Sequence, residues 1–173
     1  VIDKAGRLRQ RIVFTEGDHP TMLKAAAQCI QEGICFPVLL GRSHEIAAAK
    51  EALGLDFTCE EIDPREDPRR RGVYMEQLQK KRGRKGITLP DARRLLKSRV
   101  WFGSMMVEMG DADGIIGGIS RDYPEFLKPC LATIGMDENA HRVVGTYMMT
   151  IKGQLMFISD ATIYIYPDAR TLA

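Results

Sequence analysis

Short apolar runs alternate with helix-like segments through the first 62 residues, and this alternation restricts the fold more than any other feature. Residues 11–16, 36–40 and 58–62 read as strands, and residues 36–40 are apolar throughout, as in a strand buried on both faces. Residues 21–33 carry apolar side chains at helical spacing, and residues 44–53 form a second predicted helix. Strand, helix, strand, helix and strand joined by tight turns predict a parallel α/β sheet.

The middle and end of the chain continue this pattern with more charge. We predict helices over residues 68–82, 89–98, 101–109 and 124–134, and a buried strand over 113–118. Thr88, with Asp91 three residues later, predicts an approximate capping box at the start of the second of these helices. Residues 141–150 and 155–159 predict a hairpin around Lys152-Gly153, and residues 163–166 read as one more strand. A final helix opens at Pro167 and stops after barely a turn at Ala173, so we expect the chain to belong to a longer protein.

Composition narrows the class of protein. Hydrophobic residues are 45% and charged residues 28%, which is typical of a globular protein rather than a disordered one. No apolar run approaches the roughly 18–20 residues of a membrane span, and residues 1–11 lack the apolar region of a signal peptide. The four cysteines show no metal-ligand or disulfide spacing, which predicts reduced thiols, no metal site and a cytoplasmic protein.

Positive charge is concentrated in residues 65–99. This stretch holds thirteen Lys or Arg against four Asp or Glu, although the formal net charge of the chain is only +2. Such a surplus suits a phosphorylated small ligand or a nucleic acid. It also suits a solvated helical surface with no ligand, and the sequence leaves the three alternatives open.

Two loops are candidate ligand sites. Residues 15–18 follow the first strand, where open α/β sheets bind ligands, but they match neither a P-loop nor a dinucleotide fingerprint. Glu16 and Asp18 would repel a phosphate there, and Asp18 is equally suited to cap the next helix. After the strand at 113–118, two glycines precede Ser120, Arg121 and Lys128, which predicts an anion pocket or a glycine turn with solvated charges.

Four stretches of the sequence carry a family resemblance: residues 11–42 (RIVFTEGDHPTMLKAAAQCIQEGICFPVLLGR), 85–97 (KGITLPDARRLLK), 101–118 (WFGSMMVEMGDADGIIGG) and 153–173 (GQLMFISDATIYIYPDARTLA). Together, and in this order, they resemble the phosphate acetyl/butyryl transferases. Within the family, residues 119–131 (ISRDYPEFLKPCL) and the Met-Met run of residues 142–161 are more similar to the C-terminal half of bacterial NADP-dependent malic enzymes. At this turn the transferases carry His-Ser-Thr and then Arg-Pro, whereas this chain has Arg121, Asp122 and Tyr123, and then Lys128-Pro129.

The resemblance implies a three-layer α/β fold with a mostly parallel sheet, similar to isocitrate and isopropylmalate dehydrogenases and present as an incomplete two-domain fold. Residues 1–140 would form the first domain, and residues 141–173 the start of a second. Arg82 and Lys128 match pocket positions of the family, so we expect an anion-binding set of Arg82, Ser120, Arg121 and Lys128. The family's catalytic base and serine would lie beyond residue 173, so we expect these residues alone to be inactive.

Three hypotheses about function remain open. The favoured one is a regulatory module that binds acetyl-CoA in an NADP-dependent malic enzyme, whose other half would use NADP and Mg²⁺ or Mn²⁺ to convert malate to pyruvate and CO₂. The second is a phosphate acetyl- or butyryltransferase, although Asp122 would repel the phosphoryl group of acetyl phosphate. The third is nucleic-acid binding through residues 65–99. The first two imply acyl-CoA and the rest of the same protein as partners, in a homo-oligomer without nucleic acid or membrane.

Overall fold

The computed structural model describes residues 2–140 and 143–159 of the 173-residue chain. The chain divides into two compact units, residues 1–135 and 136–173. The assignment of residues 141–173 to a second domain stays a prediction, and the strand and final helix predicted beyond residue 160 lie outside the described residues. No described helix has both the length and the apolar composition to cross a membrane.

A four-stranded parallel sheet forms the centre of the first unit. Its strands are β1 (Arg11–Phe14), β2 (Phe36–Leu40), β3 (Glu60–Ile62) and β4 (Gly114–Ile116), in the order β3-β2-β1-β4. Side chains of β2 alternate between two core clusters, with Val38 and Leu40 in one and Leu39 in the other. The continuous apolar run therefore marks a strand buried on both faces, as predicted. The strand order reverses at β1, which lies between β2 and β4.

Helices cover both faces of this sheet. The helices are α1 (Ile2–Leu8), α2 (Pro20–Gln31), α3 (Ser43–Ala52), α4 (Pro68–Arg82), α5 (Leu89–Leu95), α6 (Arg99–Glu108) and α7 (Tyr123–Thr133), with a 3₁₀ turn at Gly83–Lys85. On one face, Leu23 of α2 and Ile46 of α3 pack in the cluster that contains Leu39. On the other, Tyr74 of α4 and Phe102 of α6 pack in the cluster that contains Val38. The predicted three-layer α/β fold is confirmed.

Helix caps show where local sequence decides the structure. The Thr88 side chain accepts from the Asp91 amide at 3.3 Å, and the Asp91 carboxylate accepts from the Thr88 amide at 3.2 Å, which confirms the predicted capping box of α5. At α2 the alternative that Asp18 caps the helix is wrong, because His19 caps it through Nδ1, 3.2 Å from the Thr21 amide. Asp18 is engaged instead by the distant Arg99.

The described part of the second unit contains an antiparallel hairpin. Strands β5 (Thr146–Ile151) and β6 (Gln154–Ser159) pair through the turn at Lys152-Gly153, where both residues have positive φ, 50° and 79°. The hairpin prediction is confirmed, with the first strand beginning at Thr146 rather than residue 141. Every residue of both strands is exposed within the chain.

Candidate functional site

The carboxyl ends of β1 and β4 meet where the strand order reverses, which is where open α/β sheets bind ligands. We call this region the switch-point crevice, formed by residues 15–18 after β1 and 117–120 after β4. The carboxylate of Glu16 occupies it, with Oε2 accepting from the amides of Gly118 at 2.9 Å and Ile119 at 3.0 Å. Oε1 accepts from the Ser120 amide at 2.8 Å and from its hydroxyl. The arrangement is an anion-binding nest filled by the chain's own carboxylate.

Electrostatics and packing keep Glu16 in this position. Glu16 is only 5% exposed. Burial opposes its ionisation, but the hydrogen bonds from the Ser120 hydroxyl and the three amides hold the pKa of Glu16 below its usual value. Gly117 permits the close approach, because a Cβ at this position would lie 2.1 Å from Thr15 Oγ1 and 2.4 Å from Phe126 Cε2.

The structure divides the four predicted anion-binding residues among three places. Ser120 donates to Glu16 in the switch-point crevice. Arg121 pairs with Glu125 at 3.8 Å and lines a second cavity. We call this second cavity the sheet-edge cavity; its charged lining is Arg42, Glu45, Asp63, Arg65, Lys97, Arg99 and Arg121. Arg82 and Lys128 lie together in a third place, and binding of an external anion by any of the four stays a prediction.

Arg82 and Lys128 line a shallow pocket of about 560 Å³ between α4, α6 and α7. We call it the helix pocket; its lining is Arg82, Lys85, Ile87, Trp101, Pro124, Leu127, Lys128, Leu131 and Ala132. Three cations therefore surround a largely apolar floor. A ligand with a flat ring and attached phosphates matches this combination, because the ring can cover apolar surface while the phosphates meet the cations.

The two predicted pocket cations have different roles within the chain. The Arg82 guanidinium donates to the carbonyls of Ala132, at 2.6 Å, and Leu131, so it caps the C-terminal end of α7. Lys128 is exposed and has no hydrogen-bond or ion-pair partner among the described residues. Lys128 is therefore available to a ligand, whereas Arg82 also has a structural task.

Sequence reasoning missed Trp101 and Lys85 as pocket residues. Trp101 is the only tryptophan in the sequence and is half-buried on α6, against the main core cluster. Lys85 ends the 3₁₀ turn that follows α4. Both residues lie in stretches that resemble the family, with only α5 between them in sequence, and this could have marked them as pocket candidates. That they share a pocket with residues of α7 depends on tertiary packing, which the sequence does not show.

The described residues hold no cluster of metal ligands. Within residues 2–140 and 143–159, no three His, Cys, Asp or Glu side chains lie close enough to hold a metal ion. The four cysteines are unpaired thiols. Burial raises the pKa of the Cys59 thiol to about 11, and nearby Glu61 and Glu60 oppose the effect of Lys50 on it. Such a thiol is a poor nucleophile at neutral pH.

Comparisons with known proteins identify the family of this chain. The family model described as "Phosphate acetyl/butaryl transferase" matches residues 1–173. The chain is 31% identical to the phosphate acetyltransferase of Corynebacterium glutamicum, over 99% of this chain and 52% of that protein. It is 34% identical to the phosphate acetyltransferase of Escherichia coli, over 98% of this chain and 23% of that protein. It is also 29% identical to the NADP-dependent malic enzyme of Rhizobium meliloti, over 100% of this chain and 23% of that protein.

Two of the solved structures that resemble this chain are also phosphotransacetylases. The EutD phosphotransacetylase from Staphylococcus aureus superposes with a TM-score of 0.88 and 26% identity, over 98% of this chain and 51% of that one. A phosphotransacetylase from Streptococcus pyogenes has a TM-score of 0.88 and 27% identity, over 99% of this chain and 52% of that one. The chain thus spans about half, or less, of the proteins that it matches. From the match over all 173 residues, the chain belongs to the phosphate acetyl/butaryl transferase family.

Proposed function

We propose that this chain is the CoA-binding α/β portion of a phosphate acyltransferase, which exchanges an acyl group between CoA and inorganic phosphate. The observation that carries the proposal is the similarity to phosphate acetyltransferases, which extends over essentially the whole chain at 29–34% identity. The helix pocket supports it, because its cations and apolar floor match the phosphates and the adenine ring of CoA.

Each pocket residue has a defined task in this proposal. Lys128 attracts a phosphate of CoA, and Lys85 extends the positive surface. Trp101 offers an aromatic face to the adenine ring. Arg82 adds charge while it holds the end of α7 in place. In this proposal the portion binds and orients CoA, and the catalytic base and serine that the family resemblance implies come from elsewhere in the protein.

The test is a transfer assay on the full-length protein that contains this chain. Acetyl-CoA and inorganic phosphate are supplied, and release of the CoA thiol is followed. We expect saturable transfer, and Lys128→Ala should raise KM for acetyl-CoA about tenfold with little change in kcat, because it removes uniform binding of the CoA moiety. Lys128→Arg keeps the charge and should retain most of the affinity. Folded protein that binds acetyl-CoA but transfers nothing to phosphate would contradict the proposal.

A second candidate is a module of an NADP-dependent malic enzyme that senses acetyl-CoA. Two observations favour it: the 29% identity to the Rhizobium meliloti enzyme over the whole chain, and Asp122 at the start of α7. The Asp122 side chain makes no capping hydrogen bond there, so its carboxylate would repel a phosphoryl group near the helix N-terminus. Oxidation of malate with NADP, inhibited by acetyl-CoA and accompanied by no acetyl transfer, would decide for this candidate.

A further inference from the structure

The sheet-edge cavity is separate from the helix pocket. It encloses about 450 Å³ at the carboxyl edge of the sheet, between the loops after β2 and β3, the junction of α5 and α6, and the loop after β4. The two cavities share no lining residue. Five cations line the sheet-edge cavity: Arg42, Arg65, Lys97, Arg99 and Arg121. Two carboxylates, Glu45 and Asp63, line it as well.

Carboxylates hold two of these cations in fixed positions. Asp18 receives both guanidinium nitrogens of Arg99, at 2.5 Å and 3.1 Å. Glu45 lies between the two arginines, 2.7 Å from Arg42 and 3.4 Å from Arg99. Burial disfavours the charged form of Asp18, but its hydrogen bonds and charge interaction with Arg99 hold its pKa below the usual value. The guanidiniums are therefore oriented before any ligand arrives.

The remaining cations are not neutralised in this way. Arg65 and Lys97 are exposed, and their side chains have no ion-pair partner in the part of the chain that the structure describes. Arg121 makes an exposed ion pair with Glu125 at 3.8 Å. Asp63 accepts a hydrogen bond from the Arg65 backbone amide at 2.8 Å, so its carboxylate is partly committed to the loop. Like charges around one cavity repel one another, and a bound anion removes that repulsion.

Two helices add to the positive potential at this cavity. Helix α3 begins after Arg42 and helix α6 begins after Ser98, and both N-cap residues line the cavity. Neither N-cap side chain, of Arg42 or of Ser98, makes a capping hydrogen bond to the first amides of its helix. Free amides at a helix start supplement the cations as donors to phosphate oxygens.

We propose that the sheet-edge cavity binds a small phosphorylated molecule that presents a diphosphate or two neighbouring phosphates, as a ligand distinct from acyl-CoA. A cavity of about 450 Å³ is the size of a site for a metabolite and too small for a stretch of nucleic acid. The oriented guanidiniums of Arg42 and Arg99 contact one phosphate, and Arg65 and Lys97 close on the other. This ligand has no part in acyl transfer, so the site is independent of the proposed function.

The test is calorimetric titration of inorganic diphosphate into the full chain at about 0.1 M salt, where distant surface charges are screened. We expect saturable binding at one site. The double variant Arg65→Ala/Lys97→Ala should weaken it about tenfold, because it removes the two cations that have no partner. The matched control Lys80→Ala/Arg93→Ala removes the same charge from exposed helix positions outside the cavity and should leave the affinity unchanged.

Two further measurements test whether the diphosphate site is separate from the CoA site. Saturating CoA should not alter the dissociation constant for diphosphate, and Lys128→Ala should not alter it either, because Lys128 lies in the other pocket. Competition by CoA would assign the cavity to CoA and overturn a separate ligand. An equal loss of diphosphate affinity in both double variants would show that only general surface charge attracts the anion, and would overturn the site. Binding that does not saturate in the millimolar range would overturn it as well. Failure of acyl transfer would leave this result untouched.

Discussion

The switch-point crevice and the helix pocket both place groups that favour anions beside α7, but they use them differently. In the crevice, three amides and a hydroxyl surround the carboxylate of Glu16, which is 5% exposed. In the helix pocket, Lys85 and Lys128 are exposed and have no partner among the described residues. The crevice therefore joins two loops about 100 residues apart in sequence, and the pocket leaves its charges for a ligand. Anion-binding geometry alone does not mark a vacant site.

Removing the internal anion should have the largest effect on stability. Glu16→Gln places an amide NH₂ group against backbone donors, and we expect a loss of about 3 kcal/mol in the free energy of unfolding. Urea denaturation followed by circular dichroism measures it. Glu51→Gln, at an exposed position of α3, is the control and should change the free energy by less than about 0.5 kcal/mol. Equal effects of the two variants would refute the role of the Glu16 nest.

Close packing beneath the same loop gives the next largest effect. Gly117→Ala would push a methyl group to within 2.1 Å of Thr15 Oγ1, so we expect a loss of about 2 kcal/mol. Gly72→Ala is the matched comparison, since a Cβ there meets nothing within 4 Å in the interior of α4. That change should stabilise the chain by about 0.7 kcal/mol. Thermal unfolding measures the melting temperature of both variants. Melting temperatures that shift in the same direction in the two variants would contradict the close packing of Gly117.

The ionisation of Glu16 should make the stability of the chain depend on pH, with a smaller effect than the two preceding substitutions. The pKa of Glu16 is lower in the folded chain than its ordinary value of 4.5, so its contribution is fully present above that value. It is lost as the pH falls below about 4.5 and through the lower folded pKa. Stability of the wild-type chain should thus fall more steeply than that of Glu16→Gln as the pH is lowered below about 4.5. Parallel curves for the two proteins would remove the carboxylate from the explanation.

Much of the fold could be predicted from local sequence. The apolar run of β2 and the capping box at Thr88 are local signals, and both appear as expected. Helix α1 was not predicted, because it buries no residue and so has no apolar stripe. Local sequence makes Asp18 a candidate cap of α2, but His19 caps the helix, and Asp18 pairs instead with Arg99, which is 81 positions away in sequence.

The candidate site was less predictable than the fold. The pairing of Arg82 with Lys128 came from the family resemblance, not from spacing, and the structure places both in one pocket. Sequence reasoning expected Glu16 to repel anions, and it missed that Glu16 itself takes the anion's place on the amides of the loop after β4. The proximity of the two loops could have been expected, because residues 15–18 and 117–120 follow two strands, β1 and β4, that are adjacent and parallel in the sheet. The hydrogen bonds themselves require tertiary coordinates.

Fluorescence of Trp101 during titration with CoA tests most directly whether the helix pocket is the CoA site. Trp101 is the only tryptophan of the chain and lines that pocket beside Lys128. We predict saturable quenching that weakens about tenfold in Lys128→Ala and keeps its affinity in Glu16→Gln at a temperature where that variant is folded. Quenching that is absent, or that is insensitive to Lys128→Ala, would contradict the assignment of CoA to this pocket.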